Sequence, residues 1–110
     1  MAKVILITSD GRAKQIELES PQMTVGRSDQ SDIVLSGTQV SRAHALLSSD
    51  RGVFSVRDLE SSNGTFVNGL KVQRQKLRHQ DVIRIGDYEL RFLERDVTAF
   101  SGQALSLTTY

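Results

Sequence analysis

The chain of 110 residues has no cysteine and no tryptophan, one proline, two histidines, and aromatic residues at only 5%. Without cysteine there is no thiolate metal site, no disulfide and no dithiol redox chemistry, which fits a reducing compartment. Two histidines alone give no basis for a metal site, so none is expected. Charge of one sign is also missing. Fourteen Lys and Arg stand against thirteen Asp and Glu, a net charge of +1, so the dense basic face of a nucleic-acid binder is not expected. Long apolar runs are absent too. Val4 to Ile7 is far too short for a signal-peptide core or a membrane span, and a cytoplasmic protein is expected. No Gly-x-Gly-x-x-Gly opens a helix and no Walker sequence is present, so no nucleotide or other cofactor is expected.

What is present reads as strands. Gln15 to Glu19 and Tyr88 to Phe92 alternate polar and apolar residues, the signature of antiparallel strands with one face in solvent. Val4-Ile5-Leu6-Ile7, Ala45-Leu46-Leu47, Val53 to Val56 and Val82 to Ile85 are short apolar or β-branched runs with turn residues between them. Asp10-Gly11, Asp50-Arg51-Gly52 and Gly86-Asp87 are expected to close hairpins. Asn63-Gly64 is read the same way, as a tight turn between Val56-Arg57-Asp58-Leu59 and Thr65-Phe66-Val67. For Gly69 to Arg78 the sequence favours an irregular connection with one short strand over a helix. Many short strands at such intervals give an all-β sandwich or barrel. One domain over residues 1–95 is expected, large enough to fold without a staple, followed by a flexible tail over 96–110 where Thr, Ser, Ala and Gly dominate.

The polar residues between these strands form an ordered set: Gly26-Arg27-Ser28, Ser41-Arg42-Ala43-His44, Ser61-Ser62-Asn63-Gly64-Thr65, then Asn68-Gly69. A guanidinium, hydroxyls and a carboxamide on turns can converge on one rim and hold a dianionic phosphate by charge-assisted hydrogen bonds. Each piece has a plainer reading. Arg27 suits a surface position beside a turn glycine, Ser41 suits a turn, and His44 between two alanines suits a buried histidine that bonds loop backbone. Ser41, His44 and Asp58 are the residue types of a hydrolytic triad, but no nucleophile elbow accompanies them and no enzyme is expected. Lys71, Arg74, Lys76 and Arg78 read as a solvated basic face that adds some electrostatic steering.

The ordered motifs resemble the forkhead-associated (FHA) domain: Gly26-Arg27, Ser41-Arg42-Ala43-His44, Asn63-Gly64-Thr65 and Asn68-Gly69, with Asp32-Ile33, Asp58-Leu59 and Asp81 to Gly86 also in keeping, over roughly Val4 to Leu93. The resemblance implies a SMAD/FHA-like sandwich of two twisted antiparallel sheets with about eleven strands. Its implied function is phosphothreonine-dependent binding of phosphorylated partner proteins in kinase signalling. By the same resemblance Arg27, Ser41, Arg42, Ser62 and Asn63 would contact the phosphopeptide, while Gly26, His44, Gly64 and Asn68 would shape the loops. A monomer that binds neither nucleic acid nor membrane is expected. The runner-up is phosphate-independent docking of a partner on a sheet face or edge. A third reading makes a phosphorylated tail residue, Thr98, Thr108 or Thr109, the ligand. Gln80 departs from the resemblance where glycine is common before Asp81-Val82-Ile83, and Arg42 where some members carry Asn.

Overall fold

The computed structural model describes residues 2–94; Thr98, Thr108 and Thr109 and the expected tail lie outside them. Eleven strands occupy the described residues: β1 (Ala2–Ile7), β2 (Ala13–Glu17), β3 (Gln22–Gly26), β4 (Ile33–Val34), β5 (Ala45–Asp50), β6 (Val53–Asp58), β7 (Thr65–Val67), β8 (Leu70–Val72), β9 (Arg74–Lys76), β10 (Val82–Ile85) and β11 (Tyr88–Glu94). They form a six-stranded sheet in the order β2-β1-β11-β10-β7-β8 and a five-stranded sheet in the order β4-β3-β5-β6-β9. All the pairs are antiparallel except β3 with β4. The fold is the two-sheet sandwich that the resemblance implied, and one of the two architectures that the strand pattern allowed.

Alternation places the core. In β1, Val4 and Leu6 point inward with Ala2, and in β11 Leu90 and Phe92 do so, because residues two apart share a face. Val25, Val56, Ile83, Ile85, Leu90 and Phe92 are 0–1% exposed and fill the space between the sheets. Phe54 and Phe92 meet across it with ring centroids 5.3 Å apart in a tilted arrangement.

Register decides where the loops go. Val25 pairs with Ala45 and Ala45 with Asp58, so β3 ends, β5 begins and β6 ends at one level of the five-stranded sheet. In the other sheet Ile83 pairs with Val67 and Ile85 with Tyr88, which brings the start of β7 and the β10–β11 turn to the same end. A Cβ on Gly86 would lie 3.1 Å from a Val40 methyl, so that turn abuts the β4–β5 loop. Ala2 pairs with Glu94 at the opposite end. The chain therefore enters and leaves the described domain away from the polar loops.

Two expectations are corrected. Asn63-Gly64 does not close a hairpin, because β6 and β7 belong to different sheets and residues 59–64 cross between them. The Asn-Gly pair that does close a hairpin is Asn68-Gly69, where Val67 pairs with Leu70 and both turn residues have positive φ, 52° and 86°. Gly69 to Arg78 contains two strands rather than one: β8 pairs with β7 and β9 with β6, with only Gln73 between them as the chain changes sheets. Such three-residue strands are too short to show a period, so their sequence could not reveal them.

Gln80 adopts φ 77° while its N–H donates to the Phe92 carbonyl at 2.7 Å. A left-handed conformation costs a non-glycine residue about 1–2 kcal/mol, of which glycine's greater unfolded freedom takes back roughly 0.5–1. Gln80→Gly is therefore expected to raise stability by about 0.5 kcal/mol, measured as a higher urea midpoint at unchanged slope.

Candidate functional site

The site begins with a close backbone approach. A Cβ on Gly26 would fall 2.0 Å from the carbonyl oxygen of Arg42, so only glycine lets β3 end against the segment 41–42. The two segments are then stitched: the Arg27 N–H donates to Ser41 O at 3.0 Å and the Ser28 N–H to Arg42 O at 3.3 Å. The chain next turns back so that β4 runs beside β3. Thr24 and Asp32 clip this loop reciprocally, the Thr24 N–H donating to Asp32 Oδ2 at 2.8 Å and the Asp32 N–H to Thr24 Oγ1 at 3.1 Å. Arg27 projects from the stitched region into solvent and makes no ion pair among the described residues.

His44 is completely buried and joins the second loop to the third. Its Nδ1 accepts the Ser41 N–H at 3.0 Å, which leaves the proton on Nε2 to be donated to Gly64 O at 2.9 Å. Its own backbone ties β3 to the crossover, with its N–H donating to Val25 O and its carbonyl accepting the Leu59 N–H, each at 2.9 Å. Gly64 has φ 91°, a conformation that favours glycine.

A second pair of bonds draws the loops together at their tips. The Ser62 N–H donates to Ser41 Oγ at 3.0 Å, and Asn63 Nδ2 donates to Gln39 O at 3.1 Å. Ser41 Oγ thus keeps its own proton for an incoming acceptor, and Asn63 keeps its carboxamide oxygen for an incoming N–H. Arg42, Ser62 and Asn63 are exposed and Ser41 is half-buried, so the first four candidates after Arg27 border the same solvent-facing rim.

Beneath the rim lies a hub centred on Asp58. Its Oδ1 accepts the hydroxyls of Ser61 at 2.5 Å and Thr65 at 2.7 Å, its Oδ2 accepts the Ser61 N–H at 3.1 Å, and Ser61 Oγ in turn accepts the Gly64 N–H at 2.9 Å. Burial raises the Asp58 carboxyl, but the hydrogen bonds from Ser61 and Thr65 outweigh it and leave the group below its ordinary value. Ser61 and Gln39 were not among the expected site residues. Asp58 followed three residues later by Ser61 was the available signal, a short-range side-chain-to-backbone turn; the Gln39 carbonyl carries no sequence signal.

The triad residues do not act together. His44 spends both ring nitrogens on Ser41 N–H and Gly64 O, Ser41 Oγ bonds Ser62, and Asp58 bonds Ser61 and Thr65. Asn68 stands apart from the rim at the far end of β7. Its Nδ2 donates to Asp81 Oδ1 and its Oδ1 accepts the Val82 N–H, both at 3.0 Å, which fastens the β7–β8 hairpin to the start of β10. No cluster of three metal-ligating side chains occurs among the described residues.

A two-sheet sandwich whose polar groups gather on cross-bonded loops at one end defines a recognition module that works through its loops. The family model described as FHA domain matches residues 23–86, and the chain belongs to that family. The chain is 43% identical over 76 residues to an oxoglutarate dehydrogenase inhibitor of Corynebacterium efficiens, covering 69% of this chain and 54% of that protein. It thus spans about half the length of that relative, and 9% of a similar ABC transporter ATP-binding/permease protein of Mycobacterium tuberculosis. Among solved structures, one from a structural and functional analysis of phosphothreonine-dependent FHA domain interactions superposes with a TM-score of 0.78 at 34% identity, covering 86% of this chain and 99% of that one.

Gly26→Ala is expected to cost about 3 kcal/mol or more in a denaturant titration, since backbone must yield to admit the methyl group. Asp58 gives a second expectation. Its folded value lies below the ordinary 3.8, so its contribution is complete well above pH 3.8 and is lost as pH falls through that lower folded value. Stability measured against pH should fall less steeply below about pH 4 in Asp58→Asn than in the wild type.

Proposed function

We propose that the domain binds phosphothreonine in a partner protein, with Arg27, Ser41, Arg42, Ser62 and Asn63 as the contacting residues and Gly26, His44 and Gly64 holding their loops, while Asn68 fastens the β7–β8 hairpin away from the rim. The observation that carries this reading is the bond from Ser62 N–H to Ser41 Oγ, together with that from Arg27 N–H to Ser41 O. They bring one guanidinium and two hydroxyls to a single rim while leaving the donor groups a phosphate needs. Arg27 supplies a planar fork for two phosphate oxygens, and the Ser41 hydroxyl donates to one of them. Arg42 adds charge beside it, and Asn63 takes a peptide N–H of the ligand.

A net charge of only +1 suits such a module, because the anion is met chiefly by local donors rather than by a strong long-range field. The domain acts by binding rather than by catalysis, as a monomer in the cytoplasm, with the domain itself at residues 1–95 and a C-terminal tail at 96–110. Relatives named as an inhibitor and as the glycogen accumulation regulator GarA fit a signalling role. The solved EmbR of Mycobacterium tuberculosis, in complex with a low affinity phosphopeptide, is 33% identical with a TM-score of 0.73, covering 84% of this chain and 24% of that one. A partner phosphorylated by a kinase is the ligand class these likenesses favour.

Calorimetric titration with phosphothreonine peptides tests the reading. Arg27→Ala should weaken binding by about 2–4 kcal/mol because it leaves a desolvated phosphate charge unmatched. An affinity within twofold of wild type would remove Arg27 from the site. Binding should also weaken as pH falls through about 6, where the ligand phosphate loses its second charge. An affinity unchanged between pH 7.5 and 5.5 would count against dianion recognition.

A further inference from the structure

The chain has two asparagines, Asn63 and Asn68, and glycine follows each. Such a pair is open to spontaneous deamidation, because a following residue without a Cβ does not hinder closure of a five-membered ring. The glycine nitrogen gives up its proton and bonds to the asparagine Cγ. The Cγ–Nδ2 bond breaks, and the amide group leaves with that proton as ammonia. Water then opens the succinimide, at Cγ to give aspartate or at the backbone carbonyl to give isoaspartate. Nothing is oxidised or reduced.

The fold restrains the two pairs at opposite partners of this reaction. At Asn68 the electrophile is held: the carboxamide bonds Asp81 through Nδ2 and Val82 through Oδ1, both at 3.0 Å, and the Asn68 N–H donates to Val82 O at 2.8 Å. Gly69 beside it is exposed. At Asn63 the electrophile is freer, an exposed carboxamide tied only through Nδ2 to Gln39 O among the described residues. There the nucleophile is held instead. Gly64 is buried, and its N–H donates to Ser61 Oγ at 2.9 Å, whose own proton goes to Asp58 Oδ1. A nitrogen with its proton engaged and hydroxide kept away attacks poorly. Thr65 donates to the same carboxylate without bonding Gly64.

We propose that Asn63 is a site of spontaneous deamidation whose rate is set by Ser61, the Ser61 hydroxyl keeping the Gly64 nitrogen out of reaction. Conversion replaces the carboxamide with a carboxylate. With no N–H left for Gln39 O, two acceptors face each other where the β4–β5 loop and the crossover were tied. The new charge stands on the rim that carries Arg27 and Ser41 and repels an anionic ligand. Isoaspartate also lengthens the crossover backbone. Loosening of the crossover thereby becomes a permanent loss of binding. That consequence rests on the loops binding phosphothreonine, whereas the reaction does not.

The test incubates wild type, Ser61→Ala and Thr65→Val at mildly alkaline pH, with tryptic digestion and tandem mass spectrometry at intervals. Both asparagines lie in the tryptic peptide from Asp58 to Lys71, and fragment masses tell which has changed from amide to acid. Ser61→Ala should convert Asn63 about fivefold faster or more, the factor that one lost hydrogen bond gives, with Asn68 as the unchanged internal reference. Thr65→Val weakens the same hub but keeps the bond from Gly64 to Ser61, and should alter the Asn63 rate less than about twofold. An Asn63 rate in Ser61→Ala within about twofold of wild type overturns the proposal. Equal acceleration in Thr65→Val or at Asn68 overturns it too, since general loosening would then be the cause. Converted wild type, separated by ion exchange, should bind a phosphothreonine peptide at least about tenfold more weakly than unconverted protein. Equal affinity overturns the loss of binding. Failure of unconverted protein to bind the peptide refutes the function proposed above together with that consequence, and the comparison of rates still decides the role of Ser61.

Discussion

A single buried imidazole holds the polar end of this domain in shape. His44 has no contact with solvent, so each ring nitrogen must find a partner or cost the free energy of an unsatisfied polar group. Its partners are two backbone groups 23 residues apart in sequence, Ser41 N–H and Gly64 O. Because a neutral imidazole offers one acceptor and one donor in fixed directions, the bond to one loop dictates the proton's place and thereby the bond to the other. No hydroxyl or amide side chain at that position offers the same rigid separation. The Ser41 loop and the crossover are thereby set relative to each other before any ligand arrives, which reduces the ordering cost of binding.

The loops are held from several independent directions. The absent side chain of Gly26 sets how near β3 comes to the segment 41–42, and Asp58 fixes the crossover from below through Ser61 and Thr65. Asn68 and Asp81 do comparable work on the other side of β7, remote from the rim. A sandwich makes this possible because both sheets end at one level there. The core of Val25, Ile85, Leu90 and Phe92 gives those ends a fixed platform. Rigid polar geometry at the rim is thus a product of apolar packing below it.

Sequence reading succeeded where chemistry is local. Alternation in Tyr88 to Phe92 and the Arg51-Gly52 and Gly86-Asp87 turns are properties of neighbouring residues, and the strands and hairpins stand there. It failed at Asn63-Gly64 for an instructive reason. The dipeptide reports that glycine takes a positive φ, which Gly64 does at 91°, but positive φ does not say which strands pair. Only the change of sheet at residues 59–64, a long-range fact, separates a crossover from a hairpin. The same limit hid Gln39, whose contribution is a backbone carbonyl that every residue type carries. Burial of His44 among loop backbone was legible from its alanine neighbours, whereas its partner Gly64 O was not.

The distribution of charge argues for how such a surface selects ligands. With net charge +1, the protein exerts little attraction on an anion beyond the Debye length, about 8–10 Å at physiological salt. Discrimination then has to arise after contact, from whether an anion's oxygens meet donors in the right places. If Arg27 and Ser41 hold the ligand as proposed, a planar carboxylate would offer its oxygens to the Arg27 fork alone. A tetrahedral phosphate would have a further oxygen left for the Ser41 hydroxyl. Fixed loops sharpen that difference, because a mobile Ser41 would follow the smaller ligand and erase it. The neutrality of the chain and the rigidity imposed through His44 are therefore two sides of one strategy: weak attraction to anions in general, and close complementarity to one shape.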